Sequence, residues 1–168
     1  MSSIKNQCLA IQAALDGKID GAPAYVANDF VHAWEILMNR PGTCKIAILF
    51  EDEKARVNFA GGDITGRVNR YIDVMISRGR GLKDFRSGNL TQGTSGGRPL
   101  FDLAEEMRDI LRLIRFDPVT DEPPNYIGLG RWGKDDGFNI DAFKCSIWIG
   151  TQLCLPVYEN GSNVSVII

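Results

Sequence analysis

The sequence predicts an α+β domain with a mostly antiparallel or mixed sheet, helices packed on one face, a long loop and an extended C-terminal strand. Helical periodicity appears near the start and again after residue 99, and apolar residues alternate as in strands between and after these segments. The predicted order is helix, helix, strand, strand, helix, strand, strand, which is typical of helices layered on a sheet. The chain has 168 residues, 44% hydrophobic and 24% charged, so residues 1–155 are predicted to form one domain.

Two helices are predicted first. Apolar residues repeat at helical spacing over residues 4–15, with Ser3 as the N-cap and Gly17 as the stop. A turn-rich stretch follows. Asp29 is then placed to cap a shorter second helix, which a Pro-Gly pair at residues 41–42 must end.

Two strands are predicted next, over residues 44–51 and 70–77. In the first strand, Cys44, Ile46, Ile48 and Phe50 lie on one face, and the smaller group of Ala47 and Leu49 lies on the other. Apolar residues on both faces indicate that both are largely covered. The second alternates more cleanly and is typical of a half-buried strand. Its apolar side consists of Ile72, Val74 and Ile76.

Residues 79–98 form a predicted loop, because six glycines lie there and apolar periodicity is lost. Loops of this length are usually functional or disordered. Glycine raises the conformational entropy that ordering removes, so we expect an acidic partner surface or passing DNA to order the loop. The alternative is a permanently solvated insertion. The basic residues predicted to meet the partner are Arg78, Arg80, Lys83, Arg86 and Arg98.

The strongest predicted helix follows Pro99, since apolar residues from Leu100 to Ile114 keep the i, i+3, i+4, i+7 pattern. A short strand is predicted over residues 126–132 and a long alternating strand over residues 142–155. The long strand exceeds the usual length, so we expect it to bend near Gly150 or to project beyond the domain.

Residues 156–168 are predicted to form a C-terminal hairpin or arm. Asn160 and Gly161 are a strong type I′ turn signal, and the end that follows is apolar. An exposed strand edge invites pairing, so we expect this segment to add to a neighbour's sheet or to pack across a subunit boundary. The interface residues predicted here are Val164, Val166 and Ile168.

Composition argues against several classes of protein. A formal net charge of −2 gives no global attraction to nucleic acid or to anionic lipid. The longest apolar run, residues 46–50, is far below the roughly 20 residues that a membrane helix needs, and the first residues have no apolar signal core. Four cysteines lie at long spacings without a Cys-x-x-Cys pair, so we interpret them as reduced core residues.

Two glycine-rich motifs resemble catalytic or nucleotide-binding signatures. Residues 128–133 match G-x-G-x-x-G, but a dinucleotide site needs a buried strand before the motif and a helix opening within it, so a glycine-rich hairpin is favoured. Residues 93–97 are similar to the nucleophile segment of trypsin-like proteases. That chemistry needs a histidine base, and the single histidine, His32, lies on the predicted second helix.

The spacing of the possible ligand residues gives little support for a metal site. Isolated cysteines and one histidine provide no paired zinc motif. The acidic residues near Gly137 do not follow the EF-hand spacing. We therefore predict no catalytic residue, no cofactor and no metal ligand.

The layout from Ser3 to Leu155 resembles the tail terminator, or tail-completion, proteins at the neck of tailed bacteriophages. The resemblance begins with the amphipathic first helix and ends with the alternating strand at residues 143–153. Between them it rests on the segments HAWEIL (32–37), KIAILF (45–50), RYIDVMI (70–76) and PLFDLA (99–104).

The resemblance implies a structural virion protein and not an enzyme. The protein would form a ring, expected to be hexameric, that caps the tail tube, ends tube polymerisation and joins a head-side connector or stopper protein. DNA would only pass through the ring, no membrane would be involved, and assembly into the tail or neck of the virion would occur in the host cytoplasm. The alternatives are another virion component, such as a head-tail connector or minor tail protein, and a small-ligand-binding domain or enzyme using the turn at residues 132–136.

Overall fold

A computed structural model describes residues 3–38, 44–57, 63–78, 98–132, 142–153, 155–159 and 163–167. The helices are α1 (Ile4–Leu15), α2 (Phe30–Met38) and α3 (Leu100–Leu113). The strands are β1 (Ala24–Val26), β2 (Cys44–Val57), β3 (Asp63–Arg78), β4 (Asn125–Trp132), β5 (Ala142–Gln152), β6 (Leu155–Glu159) and β7 (Asn163–Ile167).

Five strands form one mixed sheet in the order β1-β2-β3-β5-β4. β1 runs parallel to β2, and the other neighbours are antiparallel. β6 and β7 pair antiparallel in a separate two-stranded sheet. The predicted α+β class with a mixed sheet is confirmed.

The larger part of the core lies between the sheet and the helices α1 and α3. Alternate residues of the three central strands point to these helices, as the period of two requires. From the strands, the cluster takes Cys44, Ile46, Ile48, Ile72, Val74, Ile76, Phe143, Cys145, Ile147 and Ile149. From α1 and α3 it takes Cys8, Ile11, Leu15, Leu100, Leu103, Ala104, Met107 and Leu111.

The helix α2 packs on the opposite face, which corrects the prediction that the helices share one face. Its buried residues Ala33, Trp34 and Leu37 join Ala47, Leu49 and Met75, which occupy the other phase of the strand alternation. The physical reason is that β2 is apolar on both faces, so each face needs a cover. The apolar periodicity of a helix shows which of its own faces is buried, but not which face of the sheet the helix covers.

Side chains fix the helix ends. The Ser3 hydroxyl accepts from the Asn6 N–H at 3.0 Å, and the Asp29 carboxylate accepts from the His32 N–H at 2.8 Å, so both predicted N-terminal caps are confirmed. At the other end of α2, the buried Lys45 ammonium donates to the Ile36 carbonyl at 2.9 Å. A cation at this position complements the helix dipole.

Strand lengths differ from the predictions. β2 and β3 extend well past the predicted ends, and β1 lies in the stretch predicted as turns. β5 ends at Gln152, not at residue 155, although the Leu153 N–H still donates to the Gly66 carbonyl at 2.9 Å in the register that pairs β5 with β3. The chain then enters β6, so the expected projecting strand is instead one arm of the β6–β7 hairpin.

Candidate functional site

Asp20 lies between the two ends of residues 79–97, the segment predicted to be a loop, which itself lies outside the described residues. Its carboxylate lies 3.7 Å from the Arg78 guanidinium and 3.0 Å from that of Arg98. Arg98 also pairs with Glu106 on α3 at 2.5 Å. Both ends of the loop are therefore tied to one acidic residue, which the sequence did not single out.

The predicted basic contact residues fall into two groups. Arg78 is buried and Arg98 is 47% exposed, so Arg78 shapes the base of the loop while Arg98 remains at the surface. Arg80, Lys83 and Arg86 lie outside the described residues, as does Ile168. Only the backbone of Val164 and Val166, within β7, is described.

β4 forms a long outer edge of the sheet. It pairs with β5 on one side, and among the described residues no strand pairs with its other side. Tyr126 and Ile127 are 42% and 52% exposed, and a register shift lies between Tyr126 and Gly128. At its end, Trp132 is anchored under α2 by edge-to-face contacts with Phe30 and Trp34, at 5.3 and 5.2 Å between ring centroids.

The hairpin of β6 and β7 forms a sheet of its own, and β6 contacts β3 of the five-stranded sheet. Its register runs from Leu155 opposite Ile167 to Glu159 opposite Asn163. A two-stranded sheet is marginally stable by itself in water, so such a hairpin needs a surface to rest on.

A polar network is buried beneath the start of α1. The Arg70 guanidinium, 6% exposed, donates to Glu53 at 2.8 Å and to the side-chain oxygen of Gln7 at 3.2 Å. The Gln7 amide donates in turn to the Thr151 hydroxyl at 2.8 Å and to Asp121 at 3.2 Å. The network joins α1, β2, β3 and β5 and satisfies groups that would be costly to bury unpaired.

A second ionic group lies on the opposite face of the sheet. Arg56 and Arg67 both reach Glu122 at 2.6 Å, and Arg56 also lies over the Trp148 ring. These pairs, Arg56 first, hold the pKa of Glu122 below its ordinary value. They lie directly over Gly150, where a Cβ would collide with Arg56 and Glu122.

Two carboxyl groups meet on the same face, nearer to α2. Burial, a hydrogen bond with Asp73 and the Asp73 charge raise the pKa of Glu51. Asp73 also accepts from the Ser146 hydroxyl at 2.6 Å and lies 3.8 Å from the Lys144 ammonium. Asp73 therefore has a polar partner in Glu51, Ser146 and Lys144, all on neighbouring strands of the sheet.

The groups with possible nucleophilic or basic chemistry have structural surroundings. Cys8, Cys44 and Cys145 are buried free thiols, as predicted, and burial raises the pKa of Cys44 and of Cys145 to about 12. Thiols with such a pKa remain protonated and are inert at neutral pH. His32 accepts from the Asn28 N–H at 3.0 Å at the start of α2.

The glycine motif at residues 128–133 begins inside a strand. Gly128 and Gly130 belong to β4, which pairs antiparallel with β5. A dinucleotide site would need a strand-to-helix turn within the motif, whereas Gly128 and Gly130 lie within one strand. The antiparallel pairing of β4 with β5 agrees with the predicted glycine-rich hairpin, whose connection from Gly133 onward lies outside the described residues.

Within the described residues, no three or more His, Cys, Asp or Glu side chains gather as a metal-binding group. None of the described helices is long and apolar enough to cross a membrane. No protein-family profile matches the chain, and no curated protein is significantly similar to it. Three features described above are the candidate functional surfaces. They are the residues Asp20, Arg78 and Arg98, the outer edge of β4, and the β6–β7 hairpin.

Proposed function

We propose that this chain is a structural virion protein of a tailed bacteriophage, which forms a ring on the end of the tail tube. The ring ends tube polymerisation and joins the tail to the head-side connector or stopper protein. Assembly of identical copies, and not catalysis, is the activity of the chain.

The observation that carries this proposal is the β6–β7 hairpin, which forms its own two-stranded sheet beyond the end of β5. A hairpin gains little from folding alone and gains more by resting on another surface. Such an arm at the end of a compact domain suits a protein that works by contact with neighbours. It is the feature expected from the sequence of residues 156–168.

The loop base supports the same role. Asp20, Arg78 and Arg98 fix where residues 79–97 leave and re-enter the domain. A long basic segment with anchored ends is suited to meet an acidic surface or the DNA that passes through a ring. In contrast, the described side chains capable of acid–base or nucleophilic chemistry include the glutamates of Arg56–Glu122 and Arg70–Glu53, which are paired with arginine, and three cysteines, which are buried as free thiols.

The proposal is tested first with the purified chain by negative-stain imaging and light scattering. We expect rings of uniform size with a central channel. A chain that remains monomeric at high concentration, both alone and with tail tubes, contradicts the proposal.

A phage in which the gene is deleted provides the second test. We expect filled heads and separate tubes of irregular length, because nothing would end the tube or join it to the head. Supplying the native chain in trans is the control and should restore joined virions. Joined virions with tails of normal length in the absence of the chain contradict the proposed function.

A further inference from the structure

We infer that the outer edge of β4 in one copy receives β7 of the next copy, so that the copies join head to tail by strand addition. This inference rests on the proposed function, because it names the contact that would build the ring. It assigns the acceptor to Asn125–Gly130 and the donor to Asn163–Ile167.

The two edges of the sheet differ in how they are protected. β1 is an edge of three residues, whereas β4 has eight. Natural proteins blunt long edges with lysine, inward charges or proline. β4, NYIGLGRW, holds no lysine, proline or charged residue before Arg131, although a register shift, another device that blunts edges, lies between Tyr126 and Gly128.

The acceptor segment also presents apolar surface. Tyr126 and Ile127 are 42% and 52% exposed, and a Cβ placed at Gly128 or Gly130 would meet nothing within 4 Å. These two glycines therefore leave the face of the strand uncrowded beside the exposed side chains. An added strand would use backbone hydrogen bonds for affinity and would cover the two exposed side chains.

The donor matches this edge in length and composition. β7 has five residues, NVSVI, of which three are β-branched, and β6 pairs with one side of it. Five residues of strand span about 17 Å, which fits within the roughly 20 Å of the six acceptor residues. Among the described residues, the second side of β7 has no strand partner.

The hairpin is directed away from the β4 edge of its own chain. β6 contacts β3, and β3 and β4 lie on opposite sides of β5. On the β4 side, residues 120–122 occupy the end of β5, through bonds of 2.7 Å from Gln152 to Thr120 and 2.8 Å from Glu122 to Gly150. A second copy is thus the natural occupant of the β4 edge.

One donor and one acceptor on each copy make the contact heterologous. Heterologous contacts generate a ring when the rotation between copies closes. A copy with a damaged acceptor retains its donor, and a copy with a damaged donor retains its acceptor. This asymmetry allows a test that distinguishes the proposed contact from a symmetric one.

The acceptor variant is I127K, which places a charge on the edge at an exposed position. The donor variant is S165P, which removes a backbone N–H from the middle of β7. V31K is the matched control, since Val31 is 61% exposed on α2 and lies outside the acceptor segment. Circular dichroism and thermal melting of each full-length variant verify folding before its mass is measured by light scattering.

We expect V31K to assemble as the native chain does, and I127K and S165P each to weaken assembly by about tenfold or more, or about 1.4 kcal/mol per contact. An equimolar mixture of I127K and S165P should form a dimer and stop there, because it contains only one intact contact. Native-like rings from I127K, or a mixture that remains monomeric, overturn the inference while leaving the proposed function in place. Failure of the native chain to form rings instead overturns the proposed function.

Discussion

On the face that carries α1 and α3, apolar residues cover the sheet across three central strands, and the polar groups at one end are buried with partners. On the face that carries α2, the apolar cover is small and is followed by an open surface of charged pairs. The first face holds the domain together. The second face has the smaller buried cluster, so we expect it to contribute less to stability.

Four of the nine buried residues in the small cluster under α2 are alanines. Ala27, Ala33, Ala47 and Ala142 surround the larger Trp34, Leu37, Leu49, Met75 and Trp132. Small side chains bury little area, so the free energy gained per residue is lower than in the large cluster. The difference predicts that equivalent damage costs less on the α2 face.

Neighbouring residues of β3 provide the sharpest comparison. Ile76 and Met75 are both fully buried but face the large and the small cluster respectively. We expect Ile76→Ala to lower the free energy of unfolding by about 4 kcal/mol and Met75→Ala by about 2 kcal/mol. The loss is smaller for Met75→Ala because we expect α2 to shift and partly fill the cavity that the substitution leaves. Urea unfolding of both variants measures this difference. Equal losses would show that the two clusters support the fold to the same extent.

The two arginine–glutamate groups provide a second comparison. The side chain of Arg70 is 6% exposed and that of Arg56 is 25% exposed, while both partner glutamates are 34% exposed. Arg70→Met leaves the buried Gln7 oxygen without its donor and should cost about 2 kcal/mol. Arg56→Met removes a more solvated pair and should cost less than about 1 kcal/mol.

Chemical unfolding at low and high salt checks this ranking. Salt should reduce the Arg56 contribution more than that of Arg70, because solvent-exposed pairs are screened more strongly. A larger loss for Arg56→Met than for Arg70→Met would contradict the comparison of the two faces.

The smallest expected effect concerns the Glu51–Asp73 pair on the open face. The folded protein holds the pKa of Glu51 above its ordinary value of 4.5, through burial first and then through Asp73. The contribution of protonated Glu51 to folding stability is therefore fully present below its unfolded-state pKa, and it is lost as pH rises through its folded-state pKa. Relative to E51Q, the native chain should lose stability as pH rises from about 4 to about 7.

Thermal melting of the native chain and E51Q across this range measures the effect. E35Q, at an exposed position of α2, is the matched control and should follow the native chain. A difference between E51Q and the native chain that does not change with pH would show that folding does not raise the pKa of Glu51.

Periodicity and capping residues predicted most of the elements. Ile4–Leu15 matches the predicted first helix because its apolar spacing and the Ser3 cap are local signals. The alternation of Ile72, Val74 and Ile76 correctly identified a strand and its buried side. The lengths of β2 and β3 could not be predicted, because their charged outer halves are held by cross-strand pairing and not by burial.

The surfaces were only partly visible in the sequence. The Asn160-Gly161 turn signal predicted a hairpin, and the strand pairing of β6 with β7 agrees with it. Asp20 joins Arg78 to Arg98 across a long stretch of chain, so no spacing rule could find it. The exposed edge of β4 likewise depends on strand order and not on its own sequence.

The sequence by itself determined most of the helices and strands and the burial of Cys8, Cys44 and Cys145, because these depend on local patterns of side chains. Only the tertiary structure decided that α2 lies opposite α1 and α3, that β4 is the long edge of the sheet, and that β6 contacts β3. The physical reason is that strand order and the side on which a helix packs arise from long-range burial and hydrogen bonding, which many local patterns satisfy equally well.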